Sequence, residues 1–324
     1  MNFANRIFNI TSEKEFSNLA IEIFNYQYQT NKVYQNFCNL LKVNPSAVIS
    51  IEKIPFLPIE FFKSQQVICG DKFFETIFLS SGTTSENQSK HYVKDVKVYE
   101  QSFINGFEQF YGKITDYCFL ALLPSYMERE GSSLIYMTEY LVKHSHHSLS
   151  GFYLNNYTDL IEVLKKLENQ KTVLIGVSFA LLDLAEKHHL NLENIIIMET
   201  GGMKGRRKEM TRTELHTIYK ERFNVKEIHS EYGMTELLSQ AYSKGNGLFE
   251  TPNWMKILVR EPNDPFNLLS NNQTGGINVI DLANFNSCSF IATQDLGKCY
   301  DDNSFEVLGR FDNSDLRGCN LLIQ

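Results

Sequence analysis

Short apolar segments alternate with amphipathic segments between residues 117 and 223, and this alternation limits the folds open to the chain. The apolar segments, such as YCFLALLP at 117–124 and TVLIGV at 172–177, have the length of buried strands. The segments between them carry apolar residues at three- and four-residue spacing, which predicts helices. Strands that alternate with helices indicate a mostly parallel sheet with helices on both faces, so the predicted fold class is α/β.

The remaining segments extend this prediction over the whole chain. Residues 13–42 also have helical spacing, whereas Pro55 and Pro58 predict an extended connection over 54–63 and not a helix. The predicted strands are 74–79, 117–124, 172–177 and 194–200, and the predicted helices are 98–112, 132–144, 179–189 and 208–223. We expect a single large domain over 1–324, with a helical N-terminal segment (1–60), an α/β core (61–227) and a β-rich subregion (228–324).

The composition is that of an ordinary globular chain, with 43% hydrophobic and 21% charged residues. A formal net charge of −7 argues against a nucleic-acid partner, because nonspecific binding depends on neutralising phosphates with Lys and Arg. No apolar run reaches the ~18 residues that span a bilayer, and the N-terminus lacks the pattern of a signal peptide. We therefore expect a cytoplasmic protein without a membrane span.

Cysteine and histidine usage gives no sign of a metal centre. Six cysteines, at 38, 69, 118, 288, 299 and 319, are scattered without a CxxC pair, which predicts free thiols and neither a disulfide framework nor a zinc site. The cluster of His144, His146 and His147 suggests a metal site at first sight. It follows a predicted helix end without a companion Cys or Asp pattern, so we expect a solvated helix terminus.

A run of small hydroxyl residues, SSGTTS at 80–85, follows the predicted strand FETIFL. Loops that follow parallel strands meet at the carboxyl edge of the sheet, where ligands bind. The run is therefore predicted to share one rim with LPSYMEREGSS at 123–133 and TGGMKGR at 200–206. It lacks the spacing of a P-loop, so Lys90 is not assigned the P-loop role. The run either donates N–H and hydroxyl groups to a polyphosphate or is a plain surface loop.

Two further segments carry polar residues suited to a nucleotide. YGMTE at 232–236 presents a ring, a hydroxyl and a carboxylate, which could meet a base, a phosphate and Mg²⁺. Alternatively, this segment begins a helix with Thr235 and Glu236 in its first turn. Asp295 is predicted in a turn after a strand, where it could accept both hydroxyls of a ribose, and Arg310 could reach the same nucleotide. Alternatively, both belong to a hairpin with a solvated Asp and Arg.

The chain resembles the adenylate-forming enzymes, the acyl-CoA synthetase-like superfamily, in the order of its motifs. These are SGTT, the Gly201–Gly202 turn, YGMTE, the Asp295 turn and GR-x-D at 309–312. Within this superfamily the chain is most similar to the LuxE-type acyl-protein synthetase branch, near the phenylacetate-CoA ligases. The segments that carry this similarity are IPFLPIEFF, LPSYMEREGSSL and TGGMKGR. The resemblance covers the chain from about residue 30 onwards. It implies the large domain of that superfamily, with two helix-flanked, mostly parallel sheets and a smaller β-rich subregion.

The resemblance also implies ATP and Mg²⁺ as cofactors and assigns a contact to each motif. The residues assigned to the ATP phosphates are Ser80, Ser81, Gly82, Thr83, Thr84 and Ser85, and those near the adenine are Gly201, Gly202, Met203 and Tyr232. The catalytic Thr235 is assigned to the α-phosphate, Asp295 and Arg310 to the ribose, and Glu236 to Mg²⁺. Gly233 is also assigned to nucleotide binding.

Relatives continue beyond GR-x-D into a mobile domain that carries an essential lysine, and we expect this domain to be absent here. The lysine normally helps to stabilise the α-phosphate. Lys204 is our candidate for a catalytic replacement of its charge, with Arg206 and Lys90 as alternatives, although each could equally be a surface residue.

In the LuxE-type relatives a cysteine near the C-terminus receives the acyl group, and Cys319 is the matching residue. The neighbouring Arg317 could lower the pKa of the Cys319 thiol, and a thiolate is a good nucleophile. Alternatively, Cys319 is a strand residue that fills a gap. Cys299 and Cys288 are weaker candidates, and Cys38, Cys69 and Cys118 are expected in the core.

The implied function is that of an ATP-dependent acyl-protein synthetase. It would activate a carboxylic, and by resemblance fatty, acid as acyl-AMP and transfer the acyl group to a thiol. The acid would bind in an apolar pocket near Tyr126, Met127 and Leu134. The expected partners are the acid and an acyl-accepting protein (a reductase or an acyl carrier protein) or CoA. The alternatives are an acyl- or aryl-CoA or carrier-protein ligase without an acyl-enzyme, and a degenerate nucleotide-binding subunit.

Overall fold

The structure is a computed structural model, and it describes residues 3–81, 88–124, 130–154, 156–167, 169–201 and 210–311. The chain divides into two compact units, which we name by their place in the sequence. The terminal unit comprises Met1–Phe73 and Asn253–Gln324, and the central unit comprises Phe74–Pro252.

The helices and strands follow the chain in this order. The helices are α1 (Phe3–Ile7), α2 (Glu13–Thr30), α3 (Lys32–Leu40), α4 (Phe61–Ser64), α5 (Val96–Tyr111), α6 (Ser133–His144), α7 (Tyr157–Lys166), α8 (Ser178–Lys187) and α9 (Arg212–Phe223). The strands are β1 (Leu57–Pro58), β2 (Thr76–Leu79), β3 (Lys90–Val93), β4 (Cys118–Leu122), β5 (Gly151–Phe152), β6 (Thr172–Val177), β7 (Ile195–Thr200), β8 (His229–Tyr232), β9 (Ala241–Ser243), β10 (Leu248–Glu250), β11 (Met255–Arg260), β12 (Thr274–Asp281), β13 (Phe290–Cys299) and β14 (Phe305–Arg310). No helix of the described ranges is long and apolar enough to cross a bilayer.

The central unit is built on the predicted parallel sheet. Its strand order is β10-β9-β8-β7-β6-β4-β5, and the pairs from β8 to β5 are all parallel. Every residue of β4 and β6 is buried, as expected for strands covered on both faces. On one face, the ring centroids of Phe103 in α5 and Tyr140 in α6 are 5.2 Å apart. Those of Phe107 in α5 and Phe119 in β4 are 5.3 Å apart.

Local sequence sets the ends of the helices in this unit. Thr211 and Glu214 form a capping box at the start of α9, because each side chain accepts a hydrogen bond from the other residue's backbone N–H. The helix ends at Asn224, which adopts the left-handed conformation with φ 49°. These caps explain why α9 begins at Arg212 and not at residue 208, where the apolar spacing alone placed its start.

One predicted strand lies outside the parallel sheet. β2, expected to be the first strand of the α/β alternation, forms a separate antiparallel hairpin with β3, in which Leu79 pairs with Lys90. The prediction of a strand was right, but the inference that it belongs to the parallel sheet was wrong. Ser80 and Ser81, the first residues of the hydroxyl-rich run, follow β2 directly.

The terminal unit is an antiparallel sheet in the order β11-β12-β13-β14, with helices from the N-terminal segment. β1 adds a parallel pair to β13, in which Leu57 lies opposite Ile291. The helical segment 13–42 is two helices, because the Asn31 side chain accepts from the Tyr34 N–H and begins α3. The prediction of no helix over 54–63 was wrong for its last residues, where α4 forms a single turn after the second proline.

A buried guanidinium joins three strands of the terminal unit. Arg260 at the end of β11 donates to the Ile277 carbonyl at 2.7 Å and to Asn278 Oδ1 at 2.8 Å, both in β12. It also donates to the Thr293 carbonyl of β13 at 2.5 Å. Its side chain fills the space over Gly276, where a Cβ would lie 2.7 Å from the guanidinium carbon.

Two buried glutamate side chains lie near the carboxyl ends of the central strands β7 and β8. Glu231 of β8 accepts a hydrogen bond of 2.5 Å from the hydroxyl of Thr200, its register partner in β7. Burial raises the pKa of Glu231 from 4.5 to about 7, although the Thr200 hydroxyl opposes this shift. Glu199 of β7 pairs with His216 of α9 at 2.9 Å, and both side chains are buried.

We expect Arg260→Met to destabilise the terminal unit by roughly 2–4 kcal/mol, because it removes three hydrogen bonds to buried acceptors. Urea unfolding followed by the fluorescence of Trp254 measures this unit, since Trp254 is the single tryptophan and lies within it. Arg6→Met is the matched control, because the Arg6–Glu22 pair is exposed and should cost less than about 1 kcal/mol. Equal stability of the two variants would contradict the role of the buried guanidinium.

The Glu231 carboxyl makes the stability of the central unit depend on pH. In the folded chain it keeps its proton up to about pH 7, whereas an unfolded glutamate releases it near 4.5. The folded state therefore binds the extra proton in this window, so stability falls as pH rises from about 4.5 to about 7 and stays lower above it. We expect Glu231→Gln to reduce this loss at pH 8 by roughly 1–3 kcal/mol.

Thermal unfolding of the wild type and Glu231→Gln at pH 5.5 and pH 8 tests this prediction. Glu162→Gln is the control, because Glu162 is an exposed carboxylate on α7. The same difference between the two pH values in all three proteins would show that the Glu231 carboxyl is not the titrating group.

Candidate functional site

The carboxyl ends of three parallel strands form the predicted rim. The register places Val177 of β6 opposite Thr200 of β7, and Thr200 opposite Glu231 of β8. The residues that follow these strands therefore emerge side by side. One of them, Ser178, donates from its hydroxyl to the Gly201 carbonyl at 3.0 Å. The described part of TGGMKGR thus lies on the rim, as the sequence predicts.

The YGMTE segment leaves β8 as a tight turn, and not as a helix. Tyr232 is the last residue of the strand, and the Leu237 N–H closes the turn on the Met234 carbonyl at 3.1 Å. The alternative of a helix start at Thr235 is therefore wrong. Thr235 is half-buried and Glu236 is buried at the end of this turn.

Gly233 is required by the carboxylate beside it. A Cβ at this position would collide with Glu231 Oε1, and it would lie 3.3 Å from the Gln240 side chain. Gln240 is itself buried, and its Oε1 has no hydrogen-bond partner among the described residues. The same holds for Ser230 Oγ in β8. Buried polar atoms without protein partners need a ligand or water, so this end of β8 fits a polar ligand that donates hydrogen bonds.

Tyr232 is buried at the same strand end, with 9% of the residue exposed. Its ring meets Phe249 of β10 at a centroid distance of 6.0 Å and an angle of 62°. The Arg212 guanidinium lies 5.2 Å from the centre of the Phe249 ring. Tyr232 is thus supported by an aromatic and cationic layer, which fixes the position of a ring assigned to adenine.

The base of the hydroxyl-rich run is held by reciprocal hydrogen bonds. The Ser80 N–H donates to the Ser89 carbonyl at 3.1 Å, and the Ser89 N–H donates to Ser80 Oγ at 2.9 Å. The Leu79 N–H reaches the Gly131 carbonyl, in the loop after β4, at 2.7 Å. The end of β2 therefore contacts the loop that follows β4, although β2 is not a strand of the parallel sheet.

A buried histidine connects the hairpin to the YGMTE turn. Nδ1 of His91, in β3, lies 2.9 Å from the Thr235 carbonyl oxygen. Burial lowers the pKa of His91 from 6.5 to about 4, and the bond to Thr235 only partly offsets this. The sequence analysis missed His91. The signal was the alternation of KHYV, in which His91 and Val93 take the buried positions.

Asp295 and Arg310 meet in the terminal unit. Asp295 lies within β13 and not in a turn, so that local prediction was wrong; the antiparallel ladder with β14 places it opposite Arg310. Arg310 Nε donates to Asp295 Oδ1 at 3.1 Å, and the Asp295 side chain is buried while the Arg310 side chain is 77% exposed. The alternative of a solvated Asp is wrong, and Arg310 alone faces solvent.

Of the predicted site residues, Ser80, Ser81, Gly201, Tyr232, Gly233, Thr235 and Glu236 belong to the central unit. Asp295 and Arg310 belong to the terminal unit. The others, with the related candidates, lie outside the described residues: Gly82, Thr83, Thr84, Ser85, Tyr126, Met127, Gly202, Met203, Lys204, Arg206, Arg317 and Cys319.

Glu236 is the one carboxylate that the sequence analysis assigns to Mg²⁺. Across the described ranges no group of three or more His, Cys, Asp or Glu side chains is placed to hold a metal ion. Mg²⁺ is commonly held by one or two carboxylates together with phosphate oxygens, so a single carboxylate such as Glu236 is compatible with the predicted Mg²⁺ ligand. His144 instead stacks on Tyr140 at 3.7 Å and contacts the carbonyl of the same residue, as at an ordinary helix end.

The described cysteines are buried free thiols with low reactivity. They are Cys38, Cys69, Cys118, Cys288 and Cys299. Burial raises the pKa of Cys38 to about 12 and that of Cys299 to about 11, and it also raises the pKa of Cys288. A thiol must ionise to act as a nucleophile, so Cys288 and Cys299 are poor candidates for acylation.

No family model matches the chain, and no curated protein is similar to it in sequence. Solved structures are similar in fold. ATP-bound MatB from Rhodopseudomonas palustris has 16% identity and a TM-score of 0.52, and the ATP-bound RpMatB-BxBclM chimera B1 has 15% identity and a TM-score of 0.56. Both alignments cover 72% of this chain and 47% of the other.

A third structure aligns over more of the chain. It is 2-hydroxyisobutyryl-CoA ligase in complex with 2-HIB-AMP and CoA, in the thioesterification state. The alignment covers 93% of this chain and 68% of that one, with 12% identity and a TM-score of 0.68. The chain thus spans about half the length of the MatB structures and two thirds of this ligase. The predicted α/β fold with a large, mostly parallel sheet is confirmed, and these three structures share it.

Proposed function

We propose that the chain activates a carboxylic acid with ATP, as an acyl adenylate, and then transfers the acyl group to a thiol. The observation that supports this is the position of the YGMTE turn, which follows a parallel strand at the ligand-binding edge of the sheet. The fold that carries it is shared with structures that hold ATP or an AMP-linked acid together with CoA.

The difficult step brings a carboxylate to the α-phosphorus of a polyanion. Two unit charges ~4 Å apart repel by about 4 kcal/mol at an effective dielectric of 20. In our proposal the Thr235 hydroxyl donates to the α-phosphate and the Glu236 carboxylate holds Mg²⁺. A bound Mg²⁺ supplies positive charge that offsets the phosphate oxygens. The attacking carboxylate oxygen then forms a bond to the α-phosphorus while pyrophosphate leaves.

The base and the ribose have separate proposed contacts. Tyr232 and Gly201 would lie along the adenine, and the unpartnered Oε1 of Gln240 is an acceptor for an amino group. In the terminal unit, Asp295 would accept hydrogen bonds from the ribose hydroxyls. Arg310 neutralises the buried Asp295 carboxylate and orients it through the 3.1 Å bond to Oδ1.

For the second step we propose a LuxE-type transfer in which Cys319 accepts the acyl group. Its thiolate would attack the acyl carbonyl, form a thioester and release AMP, so that the adenylate is the leaving group. The buried Cys288 and Cys299 do not compete, because their thiols remain protonated at neutral pH. The CoA in the ligase structure favours a second candidate, a soluble thiol that accepts the acyl group directly.

Incubation of the protein with ATP, Mg²⁺ and radiolabelled carboxylic acids of different chain length tests the complete proposal. We expect label on the protein that hydroxylamine removes, because a thioester is sensitive to it, and we expect Cys319→Ser to abolish this label. Cys299→Ser is the matched control and should keep it. Pyrophosphate exchange without protein label would favour direct transfer to a soluble thiol. Neither exchange nor label would indicate a non-catalytic nucleotide-binding subunit.

The role of Glu236 has its own test. We expect Glu236→Gln to lower the rate of ATP–pyrophosphate exchange at least about 100-fold, because a bound metal contributes several kcal/mol of charge stabilisation. Increasing the Mg²⁺ concentration should restore part of the rate. Glu221→Gln, on the exposed face of α9, should exchange at the wild-type rate. An unchanged rate in Glu236→Gln would exclude this carboxylate as the metal ligand.

A further inference from the structure

The hydrogen bond between His91 and Thr235 joins two elements that are 144 residues apart in sequence. His91 lies in β3 opposite Phe78, two positions from the reciprocal Ser80–Ser89 hydrogen bonds. It is 1% exposed, so its ring is packed on all sides. The hairpin and the parallel sheet share no strand ladder, since β2 and β3 pair only with each other. The histidine is thus a direct polar connection between them.

The chemistry of this bond fixes the state of the ring. A carbonyl oxygen only accepts, so Nδ1 of His91 carries the proton and donates to Thr235. The lowered pKa keeps the imidazole neutral at physiological pH. The donor is therefore present without a positive charge. Because the acceptor is the backbone oxygen of Thr235, the bond leaves the Thr235 hydroxyl available for a ligand.

We infer that His91 is a positioning residue that holds the Thr235 turn in place, against the base of the Ser80 hairpin, for contact with a nucleotide phosphate. The inference rests on the proposed function, which assigns Thr235 to the α-phosphate. His91 does not touch the reacting atoms in this scheme. It acts through the backbone of Thr235, and it sets the distance between two elements that both serve the phosphates.

Two substitutions separate the hydrogen bond from the bulk of the ring. His91→Phe keeps an aromatic ring of similar size but removes the donor. His91→Asn keeps an N–H donor at the same number of bonds from the backbone as Nδ1. Tyr117→Phe is the matched control, because it removes one bond from a buried side chain to a carbonyl, the 2.7 Å bond to Tyr111, at the amino end of β4.

We would measure the affinities of ATP, AMP and adenosine by competition with a fluorescent ATP analogue in the presence of Mg²⁺. Because adenosine has no phosphate, the comparison of AMP with adenosine isolates the phosphate contact. We expect His91→Phe to weaken ATP and AMP binding about tenfold, the loss of roughly one hydrogen bond, and to leave adenosine binding within about twofold of the wild type. His91→Asn should recover most of the lost AMP affinity, and Tyr117→Phe should bind AMP like the wild type. The loss of AMP affinity in His91→Phe should be the same from pH 6 to pH 8, since His91 does not titrate in this range.

The alternative outcomes are distinct. If the wild type binds neither ATP nor AMP, the proposed function fails and the inference fails with it. If the wild type binds both and His91→Phe binds AMP equally well, the inference alone is wrong. It is also wrong if His91→Phe weakens adenosine as much as AMP, or if Tyr117→Phe reproduces the loss, because either result indicates a general loss of packing. Thermal unfolding of the variants confirms that each is folded at the assay temperature.

Discussion

The arrangement of the central unit depends on the register of β6, β7 and β8, which aligns the carboxyl ends of these three strands. Parallel register places Val177, Thr200 and Glu231 opposite one another, so the segments that leave these strands start from one line. The Thr200–Glu231 hydrogen bond joins two of these strand ends. The Glu231 carboxyl group in turn occupies the space beside Gly233, where an added Cβ would lie too close to Glu231 Oε1.

The groups at this edge are mostly neutral, which suits a ligand whose own charge is compensated by a metal ion. His91 donates as an uncharged imidazole, and Glu231 keeps its proton up to about pH 7. A fixed carboxylate charge at Glu231 would repel a nearby phosphate, so burial that favours the protonated carboxyl removes this repulsion. In the proposed function, Glu236 provides the negative charge that holds the metal ion.

The sequence predicted the parallel sheet well, because buried strands such as TVLIGV are apolar throughout and their length is unambiguous. Features that depend on partners distant in sequence were not predictable. Asp295 looked like a turn residue from its neighbours, but the ladder with β14 keeps it in a strand. His91 showed only a weak alternation of buried and exposed positions. Its partner Thr235 is 144 residues away in sequence, so the sequence around His91 could not reveal the contact. The roles of Thr235, Glu236 and Asp295 at a nucleotide stay predictions from motif resemblance.

The terminal unit is discontinuous in sequence, and this has a consequence for biosynthesis. Pro58 of β1 pairs with Ala292 of β13, and Gln27 of α2 bonds Ser289. At a translation rate of about 5–20 residues per second, roughly 10–50 s pass between the emergence of Pro58 and that of Ala292 from the ribosome. During this interval Phe24 of α2 lacks Phe290, one of the rings that cover it. The central unit meanwhile receives all its strands, whereas the N-terminal helices lack part of the surface that covers them in the folded chain until β13 is made.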